Sequence, residues 1–312
     1  MVAVLANMAQ AGRVLLWTRS PSLTRAAMRR GCLADVATLV RAGGSLRAGH
    51  LRLGGTDLRI GPADVNAAWH VHHLAPHGWQ ITMDGDDFLV ILSPQALRFR
   101  IPRGLLADGL GALIERFEMD EYADLDVRGA VVVDVGAYIG DSTLYLLGRG
   151  ARHVHAYEPF PQLAAVAREN FARNGVADRV TLHTAGVGWP PGPRSGTFDA
   201  ARSMMSSTSS GGGPDKVAIV DFGSVLQAVR RQHPDARVVC KVDCEGAEYE
   251  FFAPGRIPPE FAEVDALALE CHGGGADPVI AELEGLGMTV RAAPTGGLPG
   301  APIMVLASRP RR

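Results

Sequence analysis

Short apolar runs alternate with amphipathic segments from residue 130 onward. The runs lie at 131–135, 153–157, 179–184, 216–221, 237–243 and 264–270. The main segments between them lie at 163–174, 222–232 and 278–286. Runs of this length are too short for helices and apolar enough to be buried on both faces, which is typical of interior parallel strands. Strands alternating with helices predict a parallel sheet with right-handed crossovers.

Two stretches depart from this alternation. Residues 288–293 and 302–307 are apolar runs on either side of Thr295-Gly-Gly-Leu-Pro-Gly, and they predict a terminal hairpin. Residues 186–215 are rich in Pro, Ser and Gly and predict a long loop. That loop is either a substrate lid or a disordered insertion.

The first hundred residues have a different pattern. Helical periodicity over 1–42 predicts a packing or dimerising arm, through which the chain could form a homo-oligomer. Residues 46–101 alternate between apolar and polar positions with turn residues between, which predicts a small β-rich cap. Residues 105–125 predict a helix that leads into the sheet. The expected organisation is therefore an arm and cap over 1–104 and an α/β domain over 105–312.

Composition narrows the function classes. The 312 residues include 31 basic and 33 acidic ones, a net charge of −2, so bulk electrostatics favours neither nucleic acid nor an anionic membrane. The cysteines at 32, 240, 244 and 271 fit no disulfide framework and predict a reducing, cytoplasmic setting. Polar residues interrupt the first twenty positions, so we expect neither an export signal nor a membrane span.

Four histidines cluster in the predicted cap, at positions 70, 72, 73 and 77. Their spacing could supply metal ligands, but no cysteine or carboxylate nearby completes a known site. We expect them on a surface or substrate-facing loop and predict no metal site.

A glycine turn follows the first strand of the α/β domain. Gly136 and Gly140 lack a Cβ that would keep a ligand away from the backbone, and a helix begins near Asp141-Ser142-Thr143. Its unpaired N–H groups and dipole favour a carboxylate-bearing or anionic ligand. Glu158 follows the next strand, where its carboxylate can accept hydrogen bonds from both hydroxyls of a ribose.

Asp134 separates two classes of nucleotide site. Dinucleotide-binding proteins have a glycine at this position to admit a pyrophosphate. An aspartate would repel a pyrophosphate but suits the ammonium and sulfonium of S-adenosylmethionine. The pattern Asp134-x-Gly136-x-x-x-Gly140 therefore predicts S-adenosylmethionine as the cofactor, with an NAD-dependent oxidoreductase as the alternative.

Charged residues concentrate after two further strands. Lys241, Asp243, Glu245 and Glu248 surround the end of one strand, and Glu270-Cys271-His272 ends the next. The carboxyl ends of parallel strands form the ligand crevice of open α/β sheets.

These residues resemble the successive motifs of the FkbM-type S-adenosylmethionine-dependent methyltransferases. The segments that carry the resemblance are 131–141, 157–159, 241–248 and 270–272, within about residues 115 to 275. The sequence differs at Tyr138, where the family often has asparagine, and at Cys244, often valine. The resemblance implies a class I methyltransferase fold, Rossmann-like, with a seven-stranded sheet whose last strand is antiparallel.

The resemblance also implies O-methylation of a hydroxyl on a sugar, lipid or natural product. We therefore expect a small-molecule hydroxylated acceptor and no nucleic-acid partner. The expected cofactor-binding residues are Asp134, Gly136, Tyr138, Gly140, Asp141, Ser142 and Glu158.

For removal of the acceptor proton, Asp243 and His272 are the candidates, with Glu245 and Glu270 next. A divalent ion held by Asp243, Glu270 and His272 is a weaker alternative. A non-catalytic module with a degenerate methyltransferase fold is another alternative.

Overall fold

The computed structural model describes residues 77–200, 213–273, 275–295 and 301–310, together with short stretches between 24 and 74. The chain divides into two compact units, Met1–Ile114 and Glu115–Arg312. The predicted arm over 1–42 lies almost wholly outside the described residues.

The first unit contains two antiparallel three-stranded sheets. One is formed by β1 (Ser45–Arg47), β2 (His50–Leu53) and β3 (Thr56–Arg59), and the other by β4 (Gln80–Asp84), β5 (Asp87–Ile91) and β6 (Arg98–Ile101). Between them lies the helix α1 (Ala67–Leu74), and α2 (Leu106–Phe117) crosses into the second unit. The alternation over 46–101 thus predicted the strands correctly. It missed α1, so the expectation that His70, His72 and His73 lie on a loop is wrong.

The second unit is built on one seven-stranded sheet. Its strands are β7 (Val131–Val135), β8 (His153–Tyr157), β9 (Val180–His183), β13 (Val238–Val242), β14 (Ala266–Cys271), β15 (Thr289–Pro294) and β16 (Ile303–Ser308). Their spatial order is β15-β16-β14-β13-β7-β8-β9. All neighbouring pairs are parallel except those that involve β16, which is antiparallel to both β14 and β15. This confirms the predicted class I methyltransferase fold and the terminal hairpin.

Both faces of the sheet are covered by apolar side chains. The helices of this unit are α3 (Asp141–Gly148), α4 (Pro161–Arg173), α5 (Phe222–Gln232), α6 (Tyr249–Phe252) and α7 (Asp277–Gly285). Val131, Val133 and Val135 pack with α5 on one face, whereas Val132 packs with α3 on the other. Side chains of a strand alternate between faces, so a strand covered on both sides is apolar at nearly every position. This explains the four valines of β7, and Asp134 is the one polar residue among them.

The segment after β9 differs from its prediction. It contains β10 (Gly186–Val187) and β11 (Gly192–Gly196), which pair with β12 (Asp215–Val220) in a separate three-stranded sheet. Residues 186–215 are therefore not one loop, although 201–212 lie outside the described residues. The run at 216–221 is a strand, but it does not belong to the central sheet.

Substitution of Gly136 tests how closely the chain after β7 packs against the chain after β13. Its φ is +78°, and a Cβ there would lie 1.8 Å from the carbonyl oxygen of Asp243. We expect Gly136→Ala to lower the free energy of unfolding by at least about 4 kcal/mol in urea denaturation, because the backbone on which it would clash cannot move cheaply.

Gly129 supplies the matched control, since it has a φ of +68° and no atom lies within 4 Å of the place that a Cβ would occupy. Gly129→Ala should cost only the backbone strain, about 1 kcal/mol. Equal losses in the two variants would contradict the close packing of β7 against the chain after β13.

Candidate active site

The turn after β7 is held by backbone hydrogen bonds. The N–H groups of Gly136 and Ala137 both donate to the carbonyl oxygen of Tyr157 at 3.0 Å. A Cβ on Gly140 would lie 2.6 Å from the Phe171 ring. The two glycines are thus required by packing within the protein, whereas the sequence suggested that they make room for a ligand.

Tyr138 has an unusual backbone in this turn. Its φ is +47°, a left-handed conformation that residues with a Cβ rarely adopt. Its N–H donates to Oε2 of Glu158 at 3.0 Å. Asparagine tolerates this conformation better than most residues, which gives a backbone reason for the family's frequent asparagine here.

Glu158 fits the predicted contact with a ribose. It lies directly after β8, is 4% exposed, and also accepts the N–H of Phe160 at 2.9 Å through Oε1. Each oxygen therefore uses one lone pair on the protein and keeps one for a ligand hydroxyl. Burial raises the pKa of Glu158 to about 8, although the backbone N–H groups of Phe160 and Tyr138 and the charge of Lys241 oppose this.

Asp134 is fully buried and is engaged within the protein. Its Oδ2 accepts the hydroxyls of Ser142 at 2.8 Å and Thr143 at 2.6 Å, and its Oδ1 lies 3.3 Å from Nζ of Lys241. The Asp134 carboxylate is thus directed at protein groups, whereas the sequence predicted that it faces a cationic ligand. Its carboxylate instead fixes the start of α3, and Ser142 is engaged with it.

Lys241 joins the two central strands. Its ammonium donates to the carbonyl oxygens of Gly136 at 2.8 Å and Val135 at 3.3 Å, and lies 3.7 Å from Oδ2 of Asp243. Burial works against its charge, but the carboxylates of Asp134 and Asp243 outweigh burial and raise the pKa of Lys241. The side chain remains a cation with only 1% of its surface exposed.

A second buried cation, Arg116, was not singled out from the sequence. Its guanidinium contacts Asp141 at 3.4 Å and Asp243 at 3.2 Å, and it pairs with Glu121. Asp141 is 2% exposed and so faces Arg116 more than solvent. No sequence pattern predicted this contact, because Arg116 and Asp243 are 127 positions apart.

The predicted catalytic residues converge. His272 Nε2 lies 3.8 Å from both Asp243 Oδ1 and Glu245 Oε2. Its ring is held from the other side by the fully buried Glu248, whose Oε1 accepts the backbone N–H of His272 at 2.7 Å and contacts Nδ1 at 3.2 Å. Glu248 also accepts the N–H of Gly246 at 2.8 Å, so one carboxylate fixes both the histidine and the turn after β13.

Glu245 is held in a strained conformation. Its φ is +53°, and Gly246 follows with a φ of +99°. A left-handed glutamate costs about 1 to 3 kcal/mol and persists only where its surroundings impose it. Such positions cluster at functional sites, and no sequence signal revealed this one.

The three groups differ in charge state. Burial, reinforced by the charge of Asp243, raises the pKa of Glu245 to about 7. Burial opposes the charge of His272, but Glu248 and Asp243 outweigh it and raise its pKa to about 9. Burial is likewise outweighed at Asp243, where Lys241 and His272 help to lower the pKa. At neutral pH Asp243 is a carboxylate and His272 a cation, while Glu245 titrates.

The same cluster has the donor set of a cation site. Asp243, Glu245 and His272 each offer a ligand atom, all within 4.8 Å of one another. In the metal site considered from the sequence, the third ligand beside Asp243 and His272 was Glu270 and not Glu245. Glu270 lies one residue before the end of β14 and is 8% exposed. Burial, together with the charge of Asp243, raises its pKa.

The comparisons with known proteins identify the domain. Residues 134–277 match the family described as the methyltransferase FkbM domain. The matched region spans the glycine turn, Glu158 and the Asp243–His272 cluster.

Several curated relatives are similar over shorter stretches. The tRNA wybutosine-synthesizing protein 2 homolog of Mus musculus is 33% identical over 111 residues, 35% of this chain and 22% of that protein. The ribosomal protein L11 methyltransferase of Sodalis glossinidius is 35% identical over 91 residues, 29% of this chain and 31% of that protein. The chain therefore spans less than a third of the length of these relatives.

The solved structures that match are more distant. An rRNA methylase from Streptococcus thermophilus has a TM-score of 0.38 at 13% identity, covering 62% of this chain and 95% of that one. The magnesium protoporphyrin IX methyltransferase from Synechocystis, with bound S-adenosylmethionine, has a TM-score of 0.37 at 14% identity, covering 67% and 83%. The strand order of the seven-stranded sheet establishes the fold independently of these structures.

One expectation is contradicted. We expected a small-molecule hydroxylated acceptor and no nucleic-acid partner, but the matched relatives include proteins named tRNA wybutosine-synthesizing protein 2 homolog. Net charge was a poor guide because it averages over the whole surface. Among the described residues, no helix combines the length and apolar character needed to cross a bilayer.

The buried lysine gives a prediction for this site. Lys241→Met should leave Asp134 as a buried carboxylate without its counter-ion, so the free energy of unfolding should fall by about 3 to 5 kcal/mol. Urea denaturation measures this loss. Lys216→Met, at an exposed position of β12, is the matched control and should change stability by less than about 0.5 kcal/mol. A loss no larger in Lys241→Met than in the control would show that the ion pair does not stabilise the sheet.

Proposed function

Because residues 134–277 belong to the FkbM family of methyltransferases, whose cofactor is S-adenosylmethionine, we propose that Glu245 removes the acceptor proton during methyl transfer to a hydroxyl oxygen. The observation that supports this role is the strained, half-buried Glu245 facing His272 at the carboxyl end of the central strand. A general base works best with a pKa near the working pH, and the pKa of Glu245 is about 7.

The residues around the glycine turn fit the cofactor. Glu158 retains acceptor capacity for two ribose hydroxyls, and the left-handed backbone at Tyr138 orients the chain beside it. Gly136 places this turn in backbone contact with Asp243, so the cofactor side and the proton-transfer side of the crevice adjoin. When bound, S-adenosylmethionine supplies an activated methyl group.

The other charged residues position the base. Asp243 keeps its charge beside Lys241 and Arg116, and its negative field raises the pKa of Glu245. His272 is protonated at neutral pH and faces Glu245, which it can orient by a charge-assisted contact. We therefore rank Glu245 first as the base, whereas the sequence pattern had favoured Asp243 and His272 over Glu245.

RNA is the acceptor class that we propose to test first. This rests on the name of the relatives called tRNA wybutosine-synthesizing protein 2 homolog, of which the chain covers about a fifth. RNA offers a ribose hydroxyl at every nucleotide, which agrees with the proposed oxygen acceptor.

The acceptor is identified by supplying S-adenosylmethionine with a labelled methyl group to the protein together with tRNA, rRNA and protein fractions. The proposal predicts label in RNA, released by ribonuclease and located on ribose after digestion to nucleosides. Label on a base would contradict the oxygen acceptor, and label only in protein would contradict the RNA acceptor. Binding of S-adenosylhomocysteine without transfer to any fraction would indicate a non-catalytic module.

The role of Glu245 predicts a pH dependence. Turnover should rise with pH through about 7, because the base must first lose its own proton. Glu245→Gln should lower kcat by about 100-fold or more and abolish that rise, with binding of S-adenosylhomocysteine unchanged. Steady-state rates from pH 6 to 9 measure both effects.

A matched control is Glu284→Gln, which removes an exposed carboxyl on α7 and should leave rate and pH profile unaltered. Glu245→Gly separates catalysis from folding, since it should relieve the left-handed strain and raise stability while activity is lost. Full activity in both Glu245 variants would exclude this residue as the base.

A further inference from the structure

Three histidines lie close together near the amino end of β8, whereas the crevice lies at the carboxyl ends of the strands. His153 and His155 lie two residues apart on β8, and His233 directly follows α5. One ring nitrogen from each lies within 4.8 Å of the other two. His153 opens β8, whereas Glu158 follows its other end, so methyl transfer as described above does not use this cluster.

The spacing of the rings agrees with coordination of one ion. Nε2 of His155 and Nε2 of His233 are 3.2 Å apart. Two nitrogens bound tetrahedrally to one zinc ion, each at about 2.0–2.1 Å, would be separated by about 3.3 Å. The ring of His153 lies 5.0 Å from that of His155 and 5.3 Å from that of His233, measured between centroids.

The cluster is anchored in the fold but open on one side. His155 is 1% exposed and stacks on His183 with 6.0 Å between ring centroids, while His153 and His233 are half-buried. A ring nitrogen of His153 also contacts the Thr181 hydroxyl at 2.8 Å. An ion could therefore enter from solvent and meet a donor whose position is already fixed.

The histidines are in the state that a metal requires. Burial and the neighbouring imidazoles lower the pKa of His155 to about 3, and burial lowers the pKa values of His153 and His233 as well. Neutral imidazoles have a free lone pair at physiological pH, so no proton need be lost on binding.

We propose that His153, His155 and His233 form a binding site for a divalent transition-metal ion of the zinc type. Imidazole nitrogen suits Zn²⁺, Co²⁺, Ni²⁺ and Cu²⁺, whereas Mg²⁺ and Ca²⁺ prefer oxygen. Three nitrogen ligands leave one tetrahedral position for water or an exogenous group. This site is independent of the proposed methyl transfer.

Arg152 opposes binding and so gives a specific prediction. Its guanidinium lies 3.4 Å from Nδ1 of His233, which places the proton of the neutral ring on Nε2, facing His155. Binding of an ion to Nε2 requires the other tautomer, with the proton on Nδ1, so the Arg152 guanidinium must move away from that nitrogen. Arg152 is exposed and can turn into solvent, so Arg152→Gln should bind the ion more tightly than the wild type does.

The test uses the full chain without a histidine tag, freed of metal by a chelator. Titration with Co²⁺ should give visible absorption bands that saturate at one ion per chain, and Zn²⁺ should displace it. His153→Gln and His233→Gln should each weaken Co²⁺ binding at least about tenfold. Circular dichroism establishes that the variants are folded.

Two control variants locate the ion. His183→Gln removes a neighbouring imidazole outside the triad, and His272→Gln removes the imidazole of the crevice cluster; both should bind one Co²⁺ as the wild type does. The proposal is overturned if the wild type binds no stoichiometric ion, if His153→Gln and His233→Gln bind it unchanged, or if His272→Gln alone abolishes binding.

Discussion

The buried ammonium of Lys241 holds together the carboxyl ends of the two central strands, β7 and β13. Lys241 is balanced by Asp134 on the neighbouring strand and bonds to the carbonyl oxygens of the glycine turn. Removing either partner would leave an uncompensated buried charge, so the folded state requires both members of the pair. Because Asp134 also accepts two hydroxyls from α3, the same charge fixes the strands, the turn and the helix that bound the crevice.

The charged groups of the crevice shift one another's pKa values. Lys241 and Arg116 keep Asp243 ionised, Asp243 raises the pKa of Glu245, and Glu248 with Asp243 keeps His272 protonated. Each shift depends on the burial of the group and on the charges beside it, so none would persist if the turn after β13 were free to move. The strained backbone of Glu245 agrees with this, because strain at one residue is sustained only by a rigid surrounding.

Sequence patterns predicted the sheet, its terminal hairpin and the edge at which the charged residues gather. Periodicity is local, and the strand ends of a parallel sheet necessarily share an edge. The patterns could not show which way a side chain faces at that edge: Asp134 points into the protein, and the glycines accommodate neighbouring backbone and rings. Arg116 and the histidine triad depend on contacts between distant positions, which no local spacing encodes. The sequence also predicted a single loop over 186–215, but β10 and β11 lie in this segment and pair with β12.

We infer that the crevice holds S-adenosylmethionine through the buried carboxyl of Glu158. The pKa of Glu158 is about 8, and only its ionised form can accept both ribose hydroxyls, so affinity should rise as the pH approaches 9. Calorimetry with S-adenosylhomocysteine at pH 7 and pH 9 is the most direct measurement. The wild type should bind roughly tenfold more tightly at the higher pH, and Glu158→Gln should show no such change. No binding at either pH, or the same pH dependence in both proteins, would exclude this role of Glu158.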